Sequence, residues 1–224
     1  MFKLNKRLIL CAQFYSFMEL NDKQKEIVQV AEKLFAEYGF DGTSVRLIAK
    51  EAGINIAMIS YYFGSKEKLL EHMVVHRMSG FKVNLDEIIA QDDRSYPGRL
   101  NEIVALYVKR IHKNNRIYKI VHNELTNNAR SLTFEHYLSQ KKKNLDSVTK
   151  FIEAGQKAHV FKKHIEIPLL IPSILGTYFH FHYNQRFYEE SYGLNTPESK
   201  ELFIETTLTK HIQKMLNALI TYED

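Results

Sequence analysis

The chain of 224 residues has one cysteine, Cys11. One thiol makes neither an intramolecular disulfide nor a zinc knuckle, so the sequence reads as that of a protein of the reducing cytoplasm. It has no tryptophan, four prolines and nine glycines. So few breakers cannot build the many turns that a fold of short strands needs, and long helices are expected. No apolar run reaches the ~18 residues that cross a bilayer, so no membrane span is expected. No glycine-rich phosphate loop, nucleophile elbow, HExxH pair or usefully spaced carboxylate pair is present, which argues against an enzyme. Internal repeats, low-complexity tracts and strand-like alternation are lacking as well.

What is there is core-forming material. Hydrophobic residues make up 45% and charged residues 25% of the chain, a balance that folds. The net charge is +5 and the pI about 9.0, which favours an anionic partner. The charge is unevenly spread. Residues 21–81 hold 8 basic and 8 acidic side chains, whereas residues 82–167 hold 16 and 10. A nucleic-acid site must therefore be argued from local arrangement, not from overall basicity. The opening "MFKLNKRLILCAQFYSF" has basic residues before a short apolar run but no clear cleavage site. We expect Met18 as an alternative start and residues 1–17 as an upstream extension or flexible arm.

Periodicity and caps predict helices throughout. Asn21 with Gln24 resembles a capping box, and Ile27, Val30, Ala31, Leu34 and Phe35 then share one face up to Gly39. Thr43 is expected to cap "SVRLIAKEA", which ends at Gly53. Asn55 is expected to cap a short helix to about Tyr61, and Ser65 one carrying Leu69, Leu70, Met73 and Val74. Pro97 suits a first turn before Leu100, Ile103, Val104, Tyr107 and Ile111. Ile117 to Leu125 mark another helix, and Phe134 to Ile152 a longer one ending near Gly155. "IPLLIPSILGTYFHFHYNQRFY" is apolar nearly all round, which implies burial on more than one side. "TPES" caps a last helix striped by Leu208, Ile212, Met215, Leu216 and Leu219. The expected fold is all-α, with about nine helices. Its expected divisions are an N-terminal extension (1–20), a small domain of short helices (21–81) and a helical bundle (82–224).

Two helices of about eight and seven residues joined by a Gly-containing turn form a helix-turn-helix arrangement. Ala49 is small where the helices approach, Gly53 permits a positive φ in the turn, and Ile54, Ile59 and Phe63 point inward. In this geometry the second helix enters the major groove. Ile56, Ala57, Ser60 and Tyr61 lie away from the core face, and none is acidic. Tyr62 and Lys66 lie at the far end, placed to hold a phosphate beside the free amides that follow Ser65. Arg46 can reach a guanine edge or a phosphate.

Gly42-Thr43-Ser44-Val45-Arg46, Ile48-Ala49, Ala52-Gly53-Ile54 and Tyr62-Phe63-Gly64-Ser65-Lys66-Glu67-Lys68-Leu69, with Phe35 and Tyr38-Gly39-Phe40 before them, resemble the DNA-binding domain of the TetR/AcrR family over residues 21 to about 81. The resemblance implies an all-helical homodimer. Its N-terminal helices bind a palindromic double-stranded operator, and its C-terminal bundle dimerises and binds a small effector. Arg46, Ile56, Ala57, Met58, Ser60 and Tyr61 match base-facing positions, and Thr43, Tyr62 and Lys66 match phosphate-facing ones. Ser44 and Asn55, at the starts of the two short helices, complete the expected DNA-binding set. The family commonly has Lys, Arg or another polar residue at the position of Ile56 and Tyr at that of Ser60. Readout is therefore expected to lean on Arg46, Tyr61 and thymine-methyl contacts. The implied mechanism is a ligand-responsive repressor in which the effector moves a connector helix, roughly residues 65–80.

Tyr107, Phe134, Tyr137, Tyr178 and Phe179 are candidates to line a pocket for a partly apolar effector, although aromatics at helical spacing also serve as plain core. His180 and His182, like His122 and Glu124, are two apart on a helix and do not face each other, so no metal or cofactor is expected. Lys141–Lys143 reads as a solvated helix face. The alternatives are a DNA-binding scaffold acting through a protein partner, and a metal-dependent helical enzyme.

Overall fold

The computed structural model of the chain describes residues 20–126 and 135–222. Its helices, in chain order, are α1 (Asp22–Gly42), α2 (Val45–Glu51), α3 (Ile56–Phe63), α4 (Lys66–Met78), α5 (Phe81–Ile89), α6 (Tyr96–Lys113), α7 (Asn115–Thr126), α8 (Glu135–Lys157), α9 (Ile167–Tyr183), α10 (Gln185–Tyr192), α11 (Pro197–Leu202), and α12 (Thr209–Ile220). A π-helical segment, Phe203–Leu208, joins α11 to α12. No strand occurs among the described residues beyond a single bridge from Phe161 to Thr221.

The chain divides into two compact units. Among the described residues the first comprises 20–80, 114–126 and 135–139, the second 81–113 and 140–222. The sequence boundary expected near residue 81 therefore captures only part of the division. Helix α7, which the sequence reading placed in the C-terminal bundle, joins the first unit. The reason lies in its apolar stripe. Ile117, Ile120 and Val121 are buried in one cluster with Ile27, Ala31 and Phe35 of α1 and with Leu70 and Val74 of α4. The Lys119 ammonium also donates to the Ala36 carbonyl at 3.2 Å.

Local chemistry explains the elements of the first unit. The Asn21 side chain accepts from the Gln24 backbone N–H while the Gln24 side chain accepts from the Asn21 N–H, a complete capping box. Helix α1 breaks at Gly39, whose φ of 74° and ψ of 170° are non-helical. One further turn carries Phe40 inward against Phe35, with ring centroids 5.2 Å apart. Ser65 caps α4 by accepting from the Lys68 N–H. Burial of Leu69, Leu70, Met73 and Val74 fixes α4 on the same core. An ion pair from Arg77 Nε to Glu32 Oε2 at 2.7 Å ties the end of α4 to the middle of α1.

In the second unit α6 packs against α5, α9 and α12. Phe161 is wholly buried against Phe151 and Tyr96, and its ring lies over Gly155, where a side chain would have no space. Thr196 caps α11 with Pro197 in the first turn, as "TPES" predicts. The segment expected to be buried all round is not so within this chain. Leu170, Ile174, Tyr178 and Phe181 of α9 are buried, but Leu169, Tyr183 and Phe187 are exposed.

Candidate nucleic-acid interface

The first unit presents α3 on a rigid support. Helices α2 and α3 pack on each other and on α1 and α4 through Ile48, Ala49, Ile59 and Phe63, all in the shared core. Ala49 is buried where the sequence reading required a small residue. Gly53 has a φ of 62°, the conformation that glycine adopts without the steric cost of a side chain. It allows the Ile54 N–H to bond back to the Ala49 carbonyl at 3.0 Å. The Asn55 side chain accepts from the Ala57 N–H, so the residue caps α3. The exposed face of α3 then carries Ile56 (43% exposed), Ala57, Ser60 and Tyr61 (82% exposed). Met58 and Tyr62 are half-buried, and the Tyr62 ring packs edge-on against Tyr61 and Phe63. Tyr61 is far more exposed than Tyr62, its edge-on neighbour at 5.1 Å between ring centroids.

Arg46 and Ser44 are exposed at the start of α2. Ser44, not Thr43, is the residue whose side chain caps α2, accepting from the Leu47 N–H. Thr43 closes α1 instead. Its side chain is wholly buried, with the hydroxyl shared between the Leu34 carbonyl at 3.1 Å and the Gly39 carbonyl at 2.8 Å. A hydroxyl so placed does not face a phosphate, and Thr43 leaves the expected contact set. Lys66 is placed differently from the sequence expectation too. Its ammonium donates to the Phe40 carbonyl at 2.9 Å and the Thr43 carbonyl at 3.0 Å and lies 4.1 Å from the centre of the Phe40 ring. It clasps the end of α1 to the start of α4.

The start of α4 has electrostatics of its own. The Glu67 carboxyl is held below the usual carboxylate range, first by its own backbone N–H and then by the Ser65 hydroxyl, as expected for an acid in the first turn of a helix. His72, one turn on, is pushed below its ordinary value chiefly by burial. Its ring lies edge-on to Phe63, with centroids 5.5 Å apart.

The aromatic set proposed for an effector divides between the units. Tyr137 packs on the core of the first unit. Tyr107, buried against Phe81, and Tyr178 with Phe179 belong to the second, and Phe134 lies outside the described residues. Lys141, Lys142 and Lys143 are exposed along α8. No cluster of three or more His, Cys, Asp or Glu side chains suited to a metal occurs among the described residues, and no described helix is long and apolar enough to cross a membrane. A groove in the second unit that involves His112, Glu201 and Glu205 went unseen in the sequence. The legible part of its signal was the i, i+3, i+4 spacing of Lys109, His112 and Lys113 on one helix face.

Two short helices across a glycine turn, the second presenting a non-acidic face on a buried support, define a helix-turn-helix DNA-binding unit. A sequence model described as bacterial regulatory proteins, tetR family, matches residues 27–73. The probable HTH-type transcriptional regulator YttP of Bacillus subtilis is 31% identical over 155 residues, covering 68% of this chain and 72% of YttP. The HTH-type transcriptional repressor NicS of Pseudomonas putida is 31% identical over 165 residues, covering 68% of this chain and 73% of NicS. The structure of the ketosteroid transcriptional regulator KstR2 of Mycobacterium tuberculosis superposes with a TM-score of 0.67 at 20% identity, over 92% of this chain and 98% of that one. The chain belongs to the TetR family and is a DNA-binding transcriptional regulator.

Proposed function

We propose that the protein is a cytoplasmic homodimeric repressor that binds a palindromic operator through α3 and is released from it by a small, partly apolar effector bound in the second unit. The observation that carries the DNA side is the outward face of α3. Ile56, Ala57, Ser60 and Tyr61 are exposed side by side on a helix whose other face is buried. They offer thymine-methyl contacts, a hydroxyl and a phenol, while Arg46 of α2 supplies a guanidinium that can take a guanine edge or a phosphate. Ser44, Asn55, Met58 and Tyr62 flank that face, and Lys66 acts by positioning it.

Dimerisation is supported by apolar side chains that the second unit leaves in water. Tyr183, Phe187, Tyr192, Leu202 and Leu219 are all exposed, and contiguous apolar surface of this kind marks an interaction site. Two-fold symmetry then places two α3 helices on two half-sites and makes the operator palindromic. The repressor sign follows the relative NicS, named a transcriptional repressor. An effector acts here by population shift: it must bind more tightly to the arrangement in which the two α3 helices do not fit the operator.

The test is binding of the purified protein to DNA flanking its own coding region, followed by fluorescence anisotropy at several salt concentrations beside Tyr61→Ala and Arg46→Ala variants. Arg46→Ala is expected to lower the slope of log K against log salt by about 1 if the guanidinium meets a phosphate. Tyr61→Ala is expected to lose affinity with the slope unchanged. If both variants bind as the parent does, α3 and α2 are not the reading surface.

A further inference from the structure

The second unit contains a groove of about 440 Å³ between α6 and the run from α11 through the π-helical segment into α12. That volume is in the range of small-molecule sites. Its floor is apolar, made by Ala105 and Val108 of α6 and by Ile204. Its walls carry charges of opposite sign. Lys109 and Lys113 stand on α6, and Glu201 and Glu205 stand across from them.

Three features show that this groove is shaped rather than incidental. The π-helical segment Phe203–Leu208 supplies both Ile204 and Glu205. It is held open by the Thr209 hydroxyl, which donates to the Ile204 carbonyl five residues back at 2.6 Å. A widened turn of this kind is rare and recurs at functional sites. Second, His112 spans the groove. Its Nε2 lies 2.6 Å from Glu201 Oε2 and its Nδ1 lies 2.9 Å from the Tyr178 hydroxyl, and Tyr178 is wholly buried. The simplest proton arrangement has Tyr178 O–H donating to Nδ1 and Nε2–H donating to Glu201, so the imidazole fixes the carboxylate at the rim. Third, Lys109, Lys113 and Glu205 take part in no ion pair among the described residues, although they line one groove.

A lone cation entering would meet two lysines, and a lone anion two carboxylates. A ligand carrying both signs satisfies both walls and leaves its apolar part for Val108 and Ile204. We propose that this groove binds an amino-acid-like zwitterion with an apolar side chain. Its carboxylate would face Lys109 and Lys113, and its ammonium would face Glu205 and Glu201. The proposal rests on the reading that the second unit takes an effector, and it names the effector's chemical class.

The test is titration calorimetry on the full-length protein with leucine, methionine and phenylalanine as probes. Each is compared with its N-acetyl form, which keeps only the negative charge, and its amide, which keeps only the positive one. At least one free amino acid is expected to bind, with both masked forms weaker by about tenfold or more. Glu205→Gln and the double variant Lys109→Met/Lys113→Met, checked for an unchanged circular dichroism spectrum, are each expected to lose about tenfold for the free amino acid. Absence of binding by all three, masked forms that bind equally well, or variants that bind as the parent does would each overturn the proposal. Operator anisotropy with the same ligands separates the two readings. Binding without release of DNA leaves the zwitterion site standing and removes its regulatory role. Release by an unrelated compound, with no binding of the amino acids, does the reverse.

Discussion

Replacing Lys66 with methionine separates two roles that its position allows. The ammonium makes two charge-assisted hydrogen bonds, to the carbonyls of Phe40 and Thr43, and a cation–π contact with Phe40. Hydrogen bonds to charged groups contribute about 1.5–3 kcal/mol each, and an ammonium over an aromatic face about 0.5–1 kcal/mol. These do not add fully. Lys66 is half-buried, so water replaces part of what is lost, and the Phe40 carbonyl keeps the Thr43 N–H at 3.3 Å. Methionine retains much of the apolar stem and supplies no donor. The net loss expected is about 2–4 kcal/mol, read from guanidinium unfolding followed by circular dichroism at a fixed protein concentration, since a dimer's stability depends on concentration. The salt dependence of operator binding supplies the second readout. A clasp predicts a lower unfolding midpoint and an unchanged slope of log K against log salt. A direct phosphate contact predicts an unchanged midpoint and a slope lower by about 1. The second pattern would refute the structural role argued for Lys66.

Thr43→Val keeps the shape but removes the hydroxyl that serves Leu34 and Gly39, and should cost about 1–3 kcal/mol in chemical denaturation with the operator salt slope unchanged. A neutral effect on stability together with weaker DNA binding would restore Thr43 to the contact set. Gly155→Ala would place a Cβ 2.2 Å from Phe161 Cδ2, so the buried ring must move. A loss of about 1–3 kcal/mol, typical of overpacking, is expected in thermal or denaturant unfolding, and wild-type stability would contradict the packing described. Burial, aided by the positive charges of Lys68 and His136, holds His72 below its ordinary 6.5, against the opposing Lys68 carbonyl and Glu71. The unfolded chain therefore takes the proton first, and stability present above about pH 6.5 is lost as the pH falls through that value. The urea midpoint should drop between about pH 7.5 and pH 5.5 in the parent and less in His72→Gln. Equal drops in both would assign the effect to other groups.

Much of the first unit could be read from residues a few positions apart. The capping box at Asn21 and Gln24, the caps at Asn55, Ser65 and Thr196, and the positive φ at Gly53 all depend on contacts within one turn. Sequence alone expresses such contacts through spacing and residue type. Part of the outward face of α3 follows in the same way, because the periodicity that buries Ile59 and Phe63 turns Ala57 and Tyr61 to water, whereas Ile56, at i, i+3, i+7 with Ile59 and Phe63, shares their stripe and is left exposed only by the tertiary packing. What depended on distant partners was decided by the tertiary structure. Thr43 and Ser44 are neighbours, and either can cap a helix by its chemistry. Packing around Leu34 buries one and leaves the other to cap α2. Lys66 meets carbonyls 26 and 23 residues away, so its ammonium turns to the end of α1 rather than outward to the phosphate that its position suggested. Helix α7 joins the first unit because its apolar stripe fits α1 and α4, whereas a stripe by itself names no partner. The groove in the second unit pairs His112 with Glu201 across 89 residues and depends on a π-helical turn that no simple spacing announces. Local rules set the elements and their faces, and only folding determined which distant charges and carbonyls those faces meet.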